Sequence, residues 1–173
     1  MSANPNSDSE SPEASQTDAV DVINRTAVIE NVINQIIIGY CKPRVDAWEF
    51  MWSVVLDTSV MSLGAKAKVL SAISHELDFK IDVKNLHLVI ELRNAFAHHS
   101  TNAHPVMRRG KFPEQSTSYY ELWVLRTSGK FIRKQRNQAF DEFNTAYRKT
   151  LDSLVKLTDL IHAKFQKAVD QPA

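Results

Sequence analysis

The feature that most constrains the fold is one long apolar stripe near the end of the sequence. Between residues 140 and 168, apolar residues recur at steps of three or four, as they do along one side of an α-helix. The stripe consists of Phe140, Phe143, Tyr147, Leu151, Leu154, Leu157, Ile161, Phe165 and Ala168. A helix of some 30 residues is about 45 Å long. We therefore predict a helix that starts near Asn137, a good N-cap, and either crosses the domain or packs against a partner chain.

Four further segments show helical periodicity. They cover residues 19–40, 45–61, 65–77 and 83–99. Asp82 is the predicted N-cap of the last of these. The second segment is so dense in tryptophan, phenylalanine and valine that we expect it to be buried on most sides. On the third segment, Lys66 and Lys68 are predicted to lie at the surface.

Between the fourth and the last helix the pattern changes to that of β-structure. Residues 119–126 are rich in aromatic and β-branched side chains, Ser128 and Gly129 form a turn signal, and residues 131–133 resume the strand. A short strand at 105–109 is a weaker expectation. The predicted fold is therefore all-α in the main: a bundle of about five helices with one β-hairpin inserted at about 105–134.

The first 18 residues differ from the rest of the chain. They hold four acids and no base, and they have neither the basic segment nor the apolar stretch of a signal peptide. We predict a disordered acidic tail at 1–18 and one domain at 19–173. Cys41 is the only cysteine, which excludes an intrachain disulfide and favours a reducing compartment. The expected location is the cytoplasm, with no membrane contact.

Positive charge is concentrated between residues 108 and 136, where eight bases face two acids. The bases are Arg108, Arg109, Lys111, Arg126, Lys130, Arg133, Lys134 and Arg136. Such a surplus is typical of a surface that contacts nucleic-acid phosphates. It equally fits a solvated hairpin whose edges are protected by charge. In the same segment, Trp123 fits a core position, but Tyr119, Tyr120 and Trp123 together also fit a platform for stacking on single-stranded RNA.

The run from Leu92 to His99 reads LRNAFAHH at the predicted end of the fourth helix. Asn94 and His98 are four residues apart and share one helical face, whereas Arg93 is turned about 100° from Asn94. Arg93 and His98 converge better if the helix frays near His98, or if two copies of the helix meet across a symmetric interface. The histidines of this region match no established metal-ligand spacing, so neither a metal nor a cofactor is predicted.

This run resembles the signature of the HEPN superfamily (higher eukaryotes and prokaryotes nucleotide-binding). That signature has an arginine, then a polar residue that is often asparagine, then a histidine after four to six intervening positions. Arg93, Asn94 and His98 match it. The resemblance covers about residues 19–99 and 137–170, so the hairpin is an insertion. It extends to both the ribonuclease-like and the mannitol-repressor-like members.

The resemblance implies two alternative functions. Many ribonuclease-like members are homodimers that cut RNA without a metal, at a cleft where two motifs meet, and some serve toxin–antitoxin or defence systems. In such an enzyme Arg93, Asn94 and His98 are the catalytic residues, RNA is the substrate, and a cognate antitoxin or regulatory protein is a partner. The mannitol-repressor-like members instead imply a non-catalytic regulatory or partner-binding module. In a purely structural role, Arg93 pairs with an acid of a neighbouring helix such as Glu76, and Asn94 and His98 bond the exposed carbonyls of the helix end.

Overall fold

The computed structural model describes the backbone of residues 12–99, 104–108 and 117–169, and side chains within 17–98, 106 and 119–164. This part of the chain is mainly α-helical. The helices are α1 (Pro12–Cys41), α2 (Val45–Phe50), α3 (Leu63–Glu76), α4 (Val83–His99) and α5 (Arg136–Val169). The strands are β1 (His104–Arg108), β2 (Thr117–Leu125) and β3 (Phe131–Gln135). The predicted fold class, mainly α with an inserted hairpin, is confirmed.

The helix ends follow local chemistry. α1 stops where Lys42 adopts a left-handed backbone with φ of 44°, just before Pro43, which cannot continue a helix with normal hydrogen bonding. Asp82 accepts a hydrogen bond from the Asn85 backbone nitrogen at 3.1 Å, so the predicted cap of α4 is confirmed. α5 begins at Arg136, one residue before the predicted start at Asn137.

α1 begins earlier in the chain than its predicted first residue. The helix starts at Pro12, so the predicted tail boundary at residue 18 falls inside it. Asp18 accepts a hydrogen bond from the Arg136 guanidinium, and Ala19 is buried. The boundary was placed by composition, which does not register an ion pair with a residue so distant in sequence. The remainder of the predicted tail, residues 1–11, lies outside the described residues.

The second helix differs most from its prediction. Instead of 17 helical residues, α2 covers six, and a π-helical turn follows at Met51–Val55. No residue of either is buried, so the expectation of a mostly buried helix is wrong. Trp48 and Trp52 instead stack on each other, with ring centroids 5.7 Å apart. Leu56, just beyond the π-helical turn, is 1% exposed.

The chain divides into two compact units, whereas the sequence predicted one domain. Unit 1 comprises residues 1–24 and 91–144, and unit 2 comprises 25–90 and 145–173. Each has its own buried apolar residues. Those of unit 1 include Val22, Leu92, Phe96, Leu122, Val124 and Phe143, and those of unit 2 include Ile29, Ile33, Leu70, Val89, Leu154 and Leu157.

The sheet belongs to unit 1 and is antiparallel, in the order β1-β2-β3. The predicted hairpin is its β2–β3 half, with Leu125 opposite Phe131. Gly129 has φ of 81°, and its nitrogen donates to the Arg126 carbonyl at 2.8 Å. A glycine suits this left-handed position at the end of a short hairpin loop. The turn predicted at Ser128 and Gly129 is therefore confirmed.

Candidate functional site

The HEPN-like motif lies on the last two turns of α4, within unit 1. Leu92 and Phe96 are four residues apart and are 0% and 2% exposed, so they fix which side of the helix faces the core. Asn94 follows Leu92 by two residues, and His98 follows Phe96 by two residues. Each therefore lies about 200° around the helix from the buried residue that precedes it. Both are exposed, as this rotation requires.

Arg93 joins this exposed face through a contact with its neighbour. It is half-buried, and its Nη1 donates to Asn94 Oδ1 at 3.2 Å. The long arginine side chain therefore spans the helical offset of about 100° that separates the two positions. Among the described residues no hydrogen bond joins His98 to either of them. The structure brings Arg93 and Asn94 together and leaves the His98 imidazole exposed on the same helix end.

Glu91, two residues before the motif, ties α4 to the hairpin. Its side chain is 10% exposed. One carboxylate oxygen accepts from Arg126 Nη1 at 2.9 Å, and the other accepts from both the nitrogen and the Oγ1 of Thr127 at 2.6 Å. The Arg126–Thr127 end of the β2–β3 turn is thereby fixed to the helix that carries Arg93.

These contacts determine the ionisation of Glu91. Burial by itself raises the pKa of the carboxyl, because the charged form is desolvated. The hydrogen bonds from Thr127 and Arg126 outweigh burial and hold the pKa below its ordinary value of 4.5. Glu91 is thus ionised at neutral pH and links α4 to the hairpin through its charged carboxylate. No local sequence pattern indicates this role, because the partners of Glu91 lie 35 and 36 residues further along the chain.

Three of the predicted phosphate-binding residues are engaged by carboxylates of unit 1. Arg126 pairs with Glu91, Lys134 with Glu142, and Arg136 with Asp18. Arg136 is also 3% exposed, so its guanidinium is not presented to a phosphate, contrary to its predicted role. These three side chains attach the hairpin and the start of α5 to their neighbours.

Lys130 and Arg133 are the exposed cations of the described hairpin. The Arg133 guanidinium lies over the Trp123 ring, 4.7 Å from its centroid. The side chain of Arg108, and both Arg109 and Lys111, lie outside the described residues. The structure therefore divides the basic segment into cations that hold the fold and cations that face solvent.

Unit 2 contains an open cleft of about 410 Å³, which no sequence pattern indicates. Lys66 is one of the residues that line the cleft. Its residue surface is 0% exposed, so the prediction that Lys66 lies at the surface is wrong. Lys66 Nζ donates to Glu30 Oε1 at 2.5 Å, and Thr58 donates to the same oxygen at 2.7 Å. The lysine is buried because the position shares a helical face with Leu70 and Ile73.

Within the described parts of the chain, no group of three or more His, Cys, Asp or Glu side chains is arranged to hold a metal ion. No helix among those residues is both long and apolar enough to cross a membrane. The side chains of His99 and His104, the two histidines that follow His98 in the sequence, lie outside the described residues. The chain matches no family model, no curated protein and no solved structure.

Proposed function

We propose that this chain is a HEPN-like, RNA-directed protein that cuts RNA without a metal. The observation that carries the proposal is the exposure of Asn94 and His98, with Arg93 held against Asn94. A motif that served only to stabilise the fold would be expected to be buried and paired with distant residues, as Arg136 is. An exposed amide and imidazole, with a half-buried arginine beside the amide, are available to a substrate at one helix end.

The proposed chemistry assigns one task to each side chain. His98 removes the proton from a ribose 2′-hydroxyl, whose oxygen then attacks the adjacent phosphorus, or protonates the 5′-oxygen that leaves. Arg93 presents a fixed fork of donors to the phosphate, whose negative charge is concentrated in the transition state. Asn94 holds Arg93 by the observed hydrogen bond. The products are a 2′,3′-cyclic phosphate and a 5′-hydroxyl.

A homodimer formed through α4 supplies both proton transfers in this proposal. One His98 acts as the base while the His98 of a second copy acts as the acid. We further propose that the protein acts in the cytoplasm, which its single cysteine favours, and that the cell uses it as a toxin or in defence. A cognate antitoxin or regulatory protein would then control it.

One observation favours the alternative, a regulatory or partner-binding module. Val45, Trp48 and Phe50 of α2 are exposed by 96%, 46% and 60%. Exposed apolar clusters on soluble domains often mark protein contacts. The ribonuclease and the binding module differ in one observable property, which is whether the protein cleaves RNA by means of the motif on α4.

The test is incubation of the purified protein with single-stranded RNA in excess EDTA. We expect cleavage by the natural chain, and we expect His98→Ala to lower the rate by at least about 100-fold, since a positioned acid or base typically contributes that much. Arg93→Ala should lower it comparably. The matched control is His162→Ala, which removes an exposed histidine of α5 in unit 2 and should leave the rate unchanged.

Circular dichroism would establish that each variant is folded. Absence of cleavage by the natural chain at any protein concentration, or full activity of folded His98→Ala, would reject the ribonuclease and leave the binding module.

A further inference from the structure

The β2–β3 hairpin has an outward face that is unlike an ordinary solvated strand surface. Trp123 pairs across the strands with Arg133, and Leu125 pairs with Phe131. All four are exposed, while the alternate residues Leu122 and Val124 are 2% and 0% exposed and form the inner face. Residues two apart on a strand share a face, so the four side chains form one patch, which we call the outward face.

The aromatic rings of the outward face are accessible. Phe131 is 63% exposed and Trp123 is 39% exposed, and Leu125 between them is 52% exposed. Diagonal neighbours on an antiparallel pair lie about 7–8 Å apart. The strand backbone therefore holds two rings at a defined spacing on a rigid support, which is the arrangement that base stacking requires.

The charges of this face favour nucleic acid over protein. Arg133 covers part of Trp123 with a planar guanidinium, on which a base stacks as it does on an aromatic ring. Lys130 is exposed and immediately precedes Phe131 in the chain. Because the other described cations of the segment are paired with carboxylates, the charge left for phosphates is that of Lys130 and Arg133.

We propose that the outward face binds single-stranded RNA by stacking two bases on Phe131 and on the Trp123–Arg133 pair, with Lys130 at the phosphates. A duplex is excluded as the ligand, because its bases are already stacked within the helix. The proposal rests on the proposed function in one respect: the RNA bound by the outward face is the same RNA that Arg93, Asn94 and His98 cut. Glu91 supports that link, since it joins the hairpin turn to α4 two residues before Arg93.

The experiment measures binding by fluorescence anisotropy of a labelled single-stranded oligonucleotide with 2′-O-methyl riboses, which lacks the attacking hydroxyl. We expect Trp123→Ala and Phe131→Ala each to weaken binding by about five- to 100-fold. Trp48→Ala is the matched control, because Trp48 is an exposed tryptophan of unit 2 and its loss should leave the affinity unchanged.

Three results would overturn the proposal: no binding by the natural chain, equal affinity of the natural chain and both aromatic variants, or tighter binding of a duplex of the same sequence. If neither variant changes RNA affinity, a protein ligand for this face gains instead. A different result would reject the proposed function alone. In that case the natural chain binds RNA in a way that depends on Trp123 and Phe131, but it does not cleave an unmodified RNA.

Discussion

At the scale of single residues, Lys66 shows how a polar side chain is stabilised in a core. It lies on the inward side of α3 and forms an ion pair with Glu30 of α1. The Lys66 side chain is 1% exposed and that of Glu30 is 18% exposed, so removal of either one leaves the charge of the other largely uncompensated. Thr58 completes the arrangement through its hydrogen bond to Glu30.

We expect Lys66→Met to lower the free energy of unfolding by about 3 kcal/mol, since breaking a buried pair typically costs about 3–5 kcal/mol. Chemical denaturation would measure the change. The double variant Lys66→Met/Glu30→Gln should recover part of the loss, because no unpaired charge remains.

Lys68→Met is the matched control on the same helix, and because Lys68 is exposed the change should stay within about 0.5 kcal/mol. Equal effects of the two lysine substitutions would contradict the structural role of Lys66.

The candidate site was predictable at this scale only in part. The spacing of Asn94 and His98 predicts that they share one helical face, and only the structure shows that this face is exposed. The Arg93–Asn94 hydrogen bond depends on a side-chain conformation that helical angles do not specify. The burial of Arg136 depends on Asp18, a residue 118 positions away, and no local pattern indicates that contact.

At the scale of elements, the hairpin and α4 act together because of Glu91. Strand alternation and the Ser128–Gly129 turn were evident in the sequence. The attachment of that turn to α4 was not, since it joins elements through one acidic side chain whose partners are distant in sequence. α2 shows the opposite case, in which apolar density suggested burial but the short helix remained at the surface.

Glu91 predicts a pH dependence of stability. A carboxyl whose pKa is lower in the folded chain contributes stability above its ordinary value of 4.5, and that contribution is lost as the pH falls through the folded-state value. Glu91→Gln should therefore lower the free energy of unfolding by about 1–3 kcal/mol at pH 7. The deficit should shrink as the pH is lowered below 4.5.

Denaturant unfolding of both proteins at each pH measures this difference. Glu49→Gln, at an exposed position of α2, should show no such trend. If the loss of unfolding free energy in Glu91→Gln stays constant from pH 7 to pH 3, the charge of Glu91 does not stabilise the fold.

At the scale of the whole molecule, the proposed enzyme is a homodimer whose site needs two copies of α4. Its specific activity should then fall on dilution in step with the fraction of dimer, because a separated chain holds one His98. Sedimentation velocity and RNA cleavage at the same series of protein concentrations test this. Specific activity that stays constant well below the dissociation constant of the dimer would mean that one chain carries a complete site.

The sequence by itself determined the five helices, the hairpin and the shared helical face of Asn94 and His98. These depend on periodicity, caps and turn residues, whose physics is local. Only the tertiary structure decided which cations face solvent, that Lys66 is buried, that α2 is exposed and that Glu91 joins the hairpin to α4. Those outcomes depend on which residues meet across long stretches of chain, because burial and ion pairing are set by neighbours in space.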